Sequence, residues 1–470
     1  MKTFEVRNPR TGLVDYQIQP PNSEQISEYC LNLRTYQFTW FNLGLDRRIN
    51  LLQKWKEELM DAKNDIITLL VHDTGRKSET ILEFNSIIAM IDRWCKQAPE
   101  LLKPEERKIS SIPFLNIEGQ FVPYQLVGVI SPWNFPLLLS LIDAIPALLA
   151  GSAIIIKPSE YTPRFVEPLM KTIEKVEHLN SVLKVVVGAG NTGEDIINNV
   201  DLVAFTGSVD TGRKVGEACA KRFIPSFLEL GGKDPAIVLD TADLDRATSA
   251  ILWGSVANAG QSCLSIERVY VDRKIVNNFV KLLLQKVNKL QFAYPTPDDG
   301  QIGPIITKQQ AAVIKTQLID AIGKGAVIHS GGEIEDKSGG EWCFPTVLSN
   351  VNHQMKVMVE ETFGPLIPVM SFQNVDEAIS LANESSFGLG GAVFAGSEEE
   401  ALTVASRLEA GAISINDAAL TAIMYEGEKN SFKFSGMGGS RMGPASIRRF
   451  IRKKAFLINT GATDPWWYGV

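Results

Sequence analysis

Leu126-Val-Gly-Val-Ile130, Ala153-Ile-Ile-Ile-Lys157, Leu183-Lys-Val-Val-Val187 and Asp201-Leu-Val-Ala-Phe-Thr206 are four short apolar runs rich in β-branched residues. Helical stretches over 136–150, 163–178, 193–199 and 210–222 follow them in turn. Strands apolar on both faces, alternating with helices, predict a parallel sheet covered on each side. That is an α/β, Rossmann-like, doubly wound arrangement of the nucleotide-binding type. Downstream, from Asp234, the runs PAIVLD, ERVYV, GAVIH, PTVL, PLIPVMSF, GGAVFA and GAISIN form a second α/β series, long enough to be a domain of its own. Upstream, residues 23–100 repeat apolar positions such as Leu52, Trp55 and Leu59 at helical spacing, a layer of surface helices. Between them, residues 108–131 read as a β-ribbon turning near Asn116 to Gly119.

Bulk composition narrows the class of molecule. The chain has 470 residues, and 47 Lys+Arg against 54 Asp+Glu give a net charge of −7, which argues against a non-specific nucleic-acid binder. With 45% apolar and 21% charged residues it is globular, and at this length it should divide into at least two domains. Five scattered cysteines (Cys30, Cys95, Cys219, Cys263, Cys343) form neither CxxC pairs nor a disulfide framework, and the N-terminus is charged at once, so the expected location is the cytoplasm. The apolar run from Leu137 to Ile156 contains Asp143, Pro146 and Gly151, which predicts a buried helix and strand and no membrane span. His72, His178, His329 and His353 lie outside every motif, so no metal site and no Cys-His hydrolase is expected.

Chemistry gathers where strands end. Gly188, Gly190 and Gly193 form a G-x-G-x-x-G, either a phosphate turn or a tight turn without a ligand. Phe205-Thr-Gly207-Ser208, with Gly212 beyond, enters a helix and offers backbone N–H groups and a hydroxyl to a phosphate. In Pro132-Trp133-Asn134-Phe-Pro136 the asparagine either caps the helix or presents its amide to a ligand. Lys157-Pro-Ser-Glu160 and Glu229-Leu230-Gly-Gly-Lys233 add a cation and a carboxylate at the same sheet edge. Cys263 follows in the glycine turn Asn258-Ala-Gly-Gln-Ser-Cys263.

In order over nearly the whole chain, PWNFP, KPSE, FTGS, ELGGK, GQSC, EETFGP and SGMGGSR resemble the NAD(P)-dependent aldehyde dehydrogenase superfamily. The resemblance implies Cys263 as nucleophile and Asn134, with the Cys263 backbone N–H, as donors to the oxyanion. It implies Glu229 as the base that activates water; acyl-transferring relatives that use coenzyme A lack this glutamate, so hydrolysis to the free acid is expected. It carries cofactor contacts to Trp133, Lys157, Glu160, Gly207, Ser208, Gly212, Leu230, Glu361 and Phe363. Glu160 beside a ribose 2′-hydroxyl favours NAD over NADP without making it exclusive. It also implies domain roles: 1–106 with 126–230 binding NAD, 231–439 catalytic, and 107–125 with 440–470 as a β-ribbon oligomerisation arm of a homodimer or homotetramer.

Two features depart from the family. Asn430-Ser-Phe432-Lys-Phe434-Ser-Gly436 shortens a glycine-rich loop that walls the substrate tunnel, and the chain ends in Asp464-Pro-Trp-Trp-Tyr-Gly-Val470, aromatics that either pack on a surface or cover the tunnel mouth. Leu139, Ile142, Leu264, Met424, Tyr425 and Phe432 are the expected tunnel lining, which predicts a small-molecule aldehyde of apolar or aromatic type. A semialdehyde dehydrogenase is the alternative, since Arg441, Arg448 or Arg449 could reach the site. A non-catalytic nucleotide-binding protein of the same fold is the reading from another class.

Overall fold

The computed structural model describes residues 3–112 and 114–461, so the aromatic tail from Asp464 lies outside the described residues. Two largely parallel sheets organise it, each between helices. In the first, the strands run in the order Ser226–Glu229, Leu202–Thr206, Leu126–Ile130, Ala153–Lys157, Leu183–Val185, all parallel, and Gly436–Met437 adds an antiparallel edge. The order reverses between Leu126–Ile130 and Leu202–Thr206, so a crevice opens at their carboxyl ends, where ligands bind in such sheets. The second sheet runs Val327–Ile328, Thr346–Ser349, Leu366–Phe372, Ile266–Asp272, Asp234–Val238, Gly390–Phe394, Ala412–Ile415, with only its first edge pair antiparallel. All seven runs of the second α/β series lie in it.

The N-terminal helices Ser23–Asn42, Leu45–Asp61, Lys63–Thr74 and Ser78–Leu101 turn Leu52, Trp55 and Leu59 inward, and these share one apolar core with the first sheet. Gly128 shows how closely a covering helix sits: a Cβ there would come within 2.9 Å of Ile196 Cγ2. The apolar run after Leu137 forms no membrane-length helix, and among the described residues no helix is long and apolar enough to cross a membrane.

Four helix boundaries and one turn differ from expectation. The stretch 136–150 is two helices, Pro136–Leu141 and Ala144–Ala150. Pro146 has no N–H for the carbonyl of Ile142 and its ring crowds that carbonyl, so the helix breaks there. The other three are shorter or shifted, as Val166–Glu174, Gly190–Ile197 and Val209–Lys221. The ribbon turns after Ser110, where Ser110 N–H donates to Leu115 O and Leu115 N–H to Ile112 O, both at 2.9 Å. Asn116 and Gly119 lie inside the strand Leu115–Pro123, which pairs antiparallel with Ile451–Asn459 on one side and Lys108–Ile109 on the other. Gly119 is no turn residue; it lets Glu105 pass, whose Cβ would lie 3.0 Å from an added Cβ.

Gly128→Val should destabilise the protein by about 1–3 kcal/mol through overpacking against Ile196 and Val200. Urea denaturation checks this, and an unchanged midpoint would contradict the packing described.

Candidate active site

Only four residues separate Glu229, at the end of the first sheet's strand Ser226–Glu229, from Asp234, at the start of the second sheet. The carboxyl edge of one sheet therefore faces the amino edge of the other. Asn134 leaves the first edge after Leu126–Ile130, and Cys263 precedes the second-sheet strand Ile266–Asp272.

The turn before Cys263 has an unusual backbone. Asn258, Ala259 and Gly260 take φ of 56°, 51° and 72°, three successive left-handed residues, two of which carry side chains. Such conformations cost on the order of 1–3 kcal/mol each at non-glycine residues and persist only where surroundings enforce them. Here they are enforced: Gln261 donates through Nε2 to Asn258 O at 3.0 Å and Pro304 O at 3.2 Å, and its Oε1 accepts from Ile306 N–H at 2.9 Å. Asn258 Nδ2 donates to Gln261 O at 3.0 Å and to Asn134 O at 3.1 Å. Gly260 is required, since a Cβ would fall 2.3 Å from the Gly364 carbonyl carbon.

Asn134 caps no helix: Phe135 occupies the cap position, without a side-chain cap bond. Its amide is buried; Nδ2 donates to Gln261 O at 3.1 Å, and Oδ1 has no protein partner. Cys263 is half-buried, whereas the other four cysteines are fully buried. Burial pushes its thiol up to about 12; Lys429 and Arg441 oppose the shift, and Glu361 and Asp234 add to it. Glu229 accepts a long 3.5 Å contact from Ser431 Oγ and lies 3.9 Å from Lys429 Nζ.

Two cavities meet at this point. A cleft of about 1100 Å³ runs along the first sheet's edge, and an apolar cavity of about 570 Å³ opens on the other side. Asn134, Leu139, Thr206, Leu230 and Cys263 line both.

The cleft contains Trp133, Lys157, Glu160, Gly207, Ser208, Leu230, Glu361 and Phe363, together with Gly190 and Gly193 of the glycine motif. Gly212 is not on its wall; it lies beneath, where a Cβ would meet Leu230 Cδ2 at 2.5 Å, so its role is helix packing. Ser208 caps the helix Val209–Lys221 by accepting from Thr211 N–H at 3.3 Å. Lys157 Nζ donates to Gly188 O at 2.8 Å and lies 3.6 Å from Glu160; burial lowers its pKa and Glu160 counteracts this. Burial, reinforced by Glu267, pushes the Glu361 carboxyl up to about 8 while Gly232 N–H donates to it at 3.1 Å. Gly231 is needed beside it, because a Cβ would sit 2.4 Å from Glu361 Oε2.

Glu267 holds the turn that carries Glu361 and Phe363. It accepts from Thr362 N–H at 2.7 Å and Phe363 N–H at 2.8 Å, and Lys233 Nζ donates to it at 2.7 Å. Sequence reasoning quoted Lys233 but had no signal for its buried partner 34 residues away.

On the apolar side Leu139, Ile142, Leu264 and Tyr425 line the cavity as expected. Met424 and Phe432 do not: both are exposed, 55% and 46%, with Phe432 in a short edge strand paired to Phe387–Gly388. Leu138 and Leu252 line it from helices that no motif marks, and Leu82 and Trp253, themselves 46% and 43% exposed, line it as well. Lys429 and Arg441 also reach the lining. Arg441 and Arg449 share the fully buried carboxylate of Asp143, 2.8 Å from Arg441 Nη2. Their charges hold the Asp143 carboxyl below its ordinary range even though burial opposes them. Among the described residues no cluster of three or more His, Cys, Asp or Glu could hold a metal ion.

The model of the aldehyde dehydrogenase family matches residues 1–456. A 4,4'-diapolycopene aldehyde oxidase of Methylomonas sp is 36% identical over 426 residues, 89% of this chain and 78% of that protein. A solved structure from Anabaena variabilis, described as "Putative Aldehyde Dehydrogenase PutA", is 58% identical with a TM-score of 0.98, covering 99% of this chain and all of the other. Betaine aldehyde dehydrogenase from Staphylococcus aureus, solved in complex with NAD+, is 28% identical with a TM-score of 0.93, covering 100% of this chain and 94% of that one. With cysteine, asparagine and glutamate gathered where two cavities join, and with these matches, the chain belongs to the aldehyde dehydrogenase family.

In the protein alone, iodoacetamide should alkylate Cys263 in preference to the buried cysteines, at a rate rising roughly tenfold per pH unit between pH 7 and 9, because only the thiolate reacts. A plateau below pH 8 would contradict the high thiol pKa.

Proposed function

We propose that this protein oxidises an apolar or aromatic aldehyde to the carboxylic acid with NAD, and with NADP less readily. The observation that carries the reading is the position of Cys263, at the one stretch of wall common to a nucleotide-sized cleft and an apolar cavity. The cleft suits a dinucleotide: a helix N-terminus with Ser208 at its cap, Lys157 and Glu160 side by side for ribose hydroxyls, and Glu361 and Phe363 at the end nearest the cysteine. The Glu160 carboxylate would repel a 2′-phosphate, which is why NAD is preferred.

Cys263 Sγ, as the thiolate, attacks the aldehyde carbonyl carbon to form a thiohemiacetal, and the carbonyl oxygen becomes an oxyanion. Asn134 Nδ2 and the Cys263 N–H stabilise that oxyanion, the amide exchanging its present bond to Gln261 O for one to substrate. The bound nicotinamide supplies the acceptor for the hydride expelled from carbon. A thioester on Cys263 remains; Glu229 takes a proton from water, the resulting hydroxide displaces the sulfur, and the acid leaves with the thiolate regenerated. Burial of the thiol slows attack in the empty protein, and Lys429 and Arg441 are the cations that offset it.

The cavity favours an apolar aldehyde. Its walls are chiefly aliphatic and aromatic, and of the three cations that reach it Lys286 pairs with Asp245, Arg441 pairs with Asp143, and Lys429 lies 3.9 Å from Glu229. A semialdehyde carboxylate would have to compete for them. The similarity to a relative named for a 4,4'-diapolycopene aldehyde agrees with an apolar substrate. We assign dinucleotide binding to the first sheet with the N-terminal helices, the cysteine to the second sheet, and homo-oligomer contact to the ribbon. In that ribbon Ile109, Phe456 and Leu457 are exposed.

NADH formation with a long-chain alkanal, an aromatic aldehyde and succinic semialdehyde tests the assignment. Cys263→Ala should abolish turnover of all three, Glu229→Gln should lower kcat by about 10²–10⁴, and the alkanal or aromatic aldehyde should be preferred. A preference for succinic semialdehyde would favour the alternative substrate class. NAD binding without turnover of any aldehyde would favour a non-catalytic role.

A further inference from the structure

The segment around residues 425–431 brings a nearly buried ammonium to the centre of the site. Lys429 is 9% exposed, lines the apolar cavity beside Cys263, and its Nζ lies 3.9 Å from Glu229 Oε2. Two residues on, Ser431 Oγ donates to the same carboxylate oxygen at 3.5 Å. The segment is anchored to the polypeptide that follows: Lys429 N–H donates to Ser440 Oγ at 3.0 Å, Gly443 N–H to Tyr425 O at 2.7 Å, and Ala445 N–H to Glu428 Oε1 at 2.6 Å. Lys429 is therefore held in place through its own backbone.

The surrounding charges can be counted. Arg441 and Arg449 both pair with Asp143. Glu361 and Asp234 oppose the cations at Cys263, and burial pushes both of their own carboxyls up, to about 8 and about 7. Glu229 is the carboxylate within ion-pair distance of Lys429. At 3.9 Å the two attract without a direct hydrogen bond, which leaves the carboxylate oxygens free to accept from a water molecule. Taking an ammonium out of water is costly, and a charge buried without a tight partner is a candidate for function.

We propose that Lys429 is a positioning residue: its ammonium, with the Ser431 hydroxyl, fixes the Glu229 carboxylate and steadies negative charge on Cys263 Sγ. This rests on the reading of Cys263 and Glu229 given above. It places the device in the loop where this chain departs from the family's usual glycine-rich pattern, which gives that departure a purpose.

The test uses the full chain and two measurements. At pH 8, Lys429→Met should slow iodoacetamide alkylation of Cys263 about tenfold, and Lys429→Arg should restore it to within about twofold. In steady-state turnover, Lys429→Met should lower kcat about tenfold and leave KM within about twofold, because the carboxylate loses a group that holds it, and Lys429→Arg should restore kcat. Alkylation at the wild-type rate together with an unchanged kcat would overturn the proposal. If Lys429→Met fails to fold by circular dichroism, Lys429→Gln is read in the same way. Alkylation needs no substrate, so a wild-type protein inert towards every aldehyde would sink the proposed reaction and leave the effect on Cys263 to decide the proposal. An active wild type with an unaltered Lys429→Met variant would sink the positioning role alone.

Discussion

The side-chain amide of Asn258 donates to the main-chain oxygens of Asn134 and Gln261; the first bond ties the cysteine turn of one sheet to a strand end of the other, and the second braces the turn itself. Arg76 donates to the same Asn134 carbonyl, and Glu79 accepts from the Asn258 N–H, so the helical layer joins the knot as well. Three left-handed residues in succession would not hold their shape alone. Held in this way, they deliver Cys263 to the mouth of both cavities. The relative placement of nucleophile, amide and carboxylate thus depends on a few buried polar bonds more than on the sheets themselves. Buried networks of this kind specify geometry because every broken bond leaves an unsatisfied group.

The site also divides its carboxylates by environment. Glu361 is half-buried and has its carboxyl pushed up to about 8 by desolvation and by Glu267, whereas Glu229 lies beside Lys429 and Ser431. Asp143 is a third case, a carboxylate kept charged by two arginines and spent on holding Arg441 at the cavity wall.

Much of this is legible in the chain itself. The runs at Leu126, Ala153, Leu183 and Leu202 are apolar on both faces, the pattern of buried parallel strands, and each contains one, the third ending at Val185 and not at Val187. Asn134, Glu229 and Cys263 stand out through the motifs PWNFP, ELGGK and GQSC, which carry the family resemblance. Helix ends were less legible: Pro146 inside 136–150 breaks the helix, and the apolar periodicity on both sides hides it. Gly119 misled because glycine marks a turn and a close approach equally well. Met424 and Phe432 were read as tunnel wall from their apolar character, although chain direction through a loop is not encoded in local pattern. Lys429 is hidden for the opposite reason: an isolated cation reads as surface until its buried surroundings are known. Arg441, one of three arginines the sequence offers to the site, does reach the cavity wall.

The central claim is that Cys263 carries the acyl group between oxidation and hydrolysis. Intact-protein mass spectrometry of the Glu229→Gln variant, mixed with an alkanal and NAD, tests it most directly. The account predicts an adduct equal to the aldehyde less two hydrogens, mapped to Cys263 after digestion and absent when NAD is omitted. No adduct, or an adduct on another residue, would contradict it.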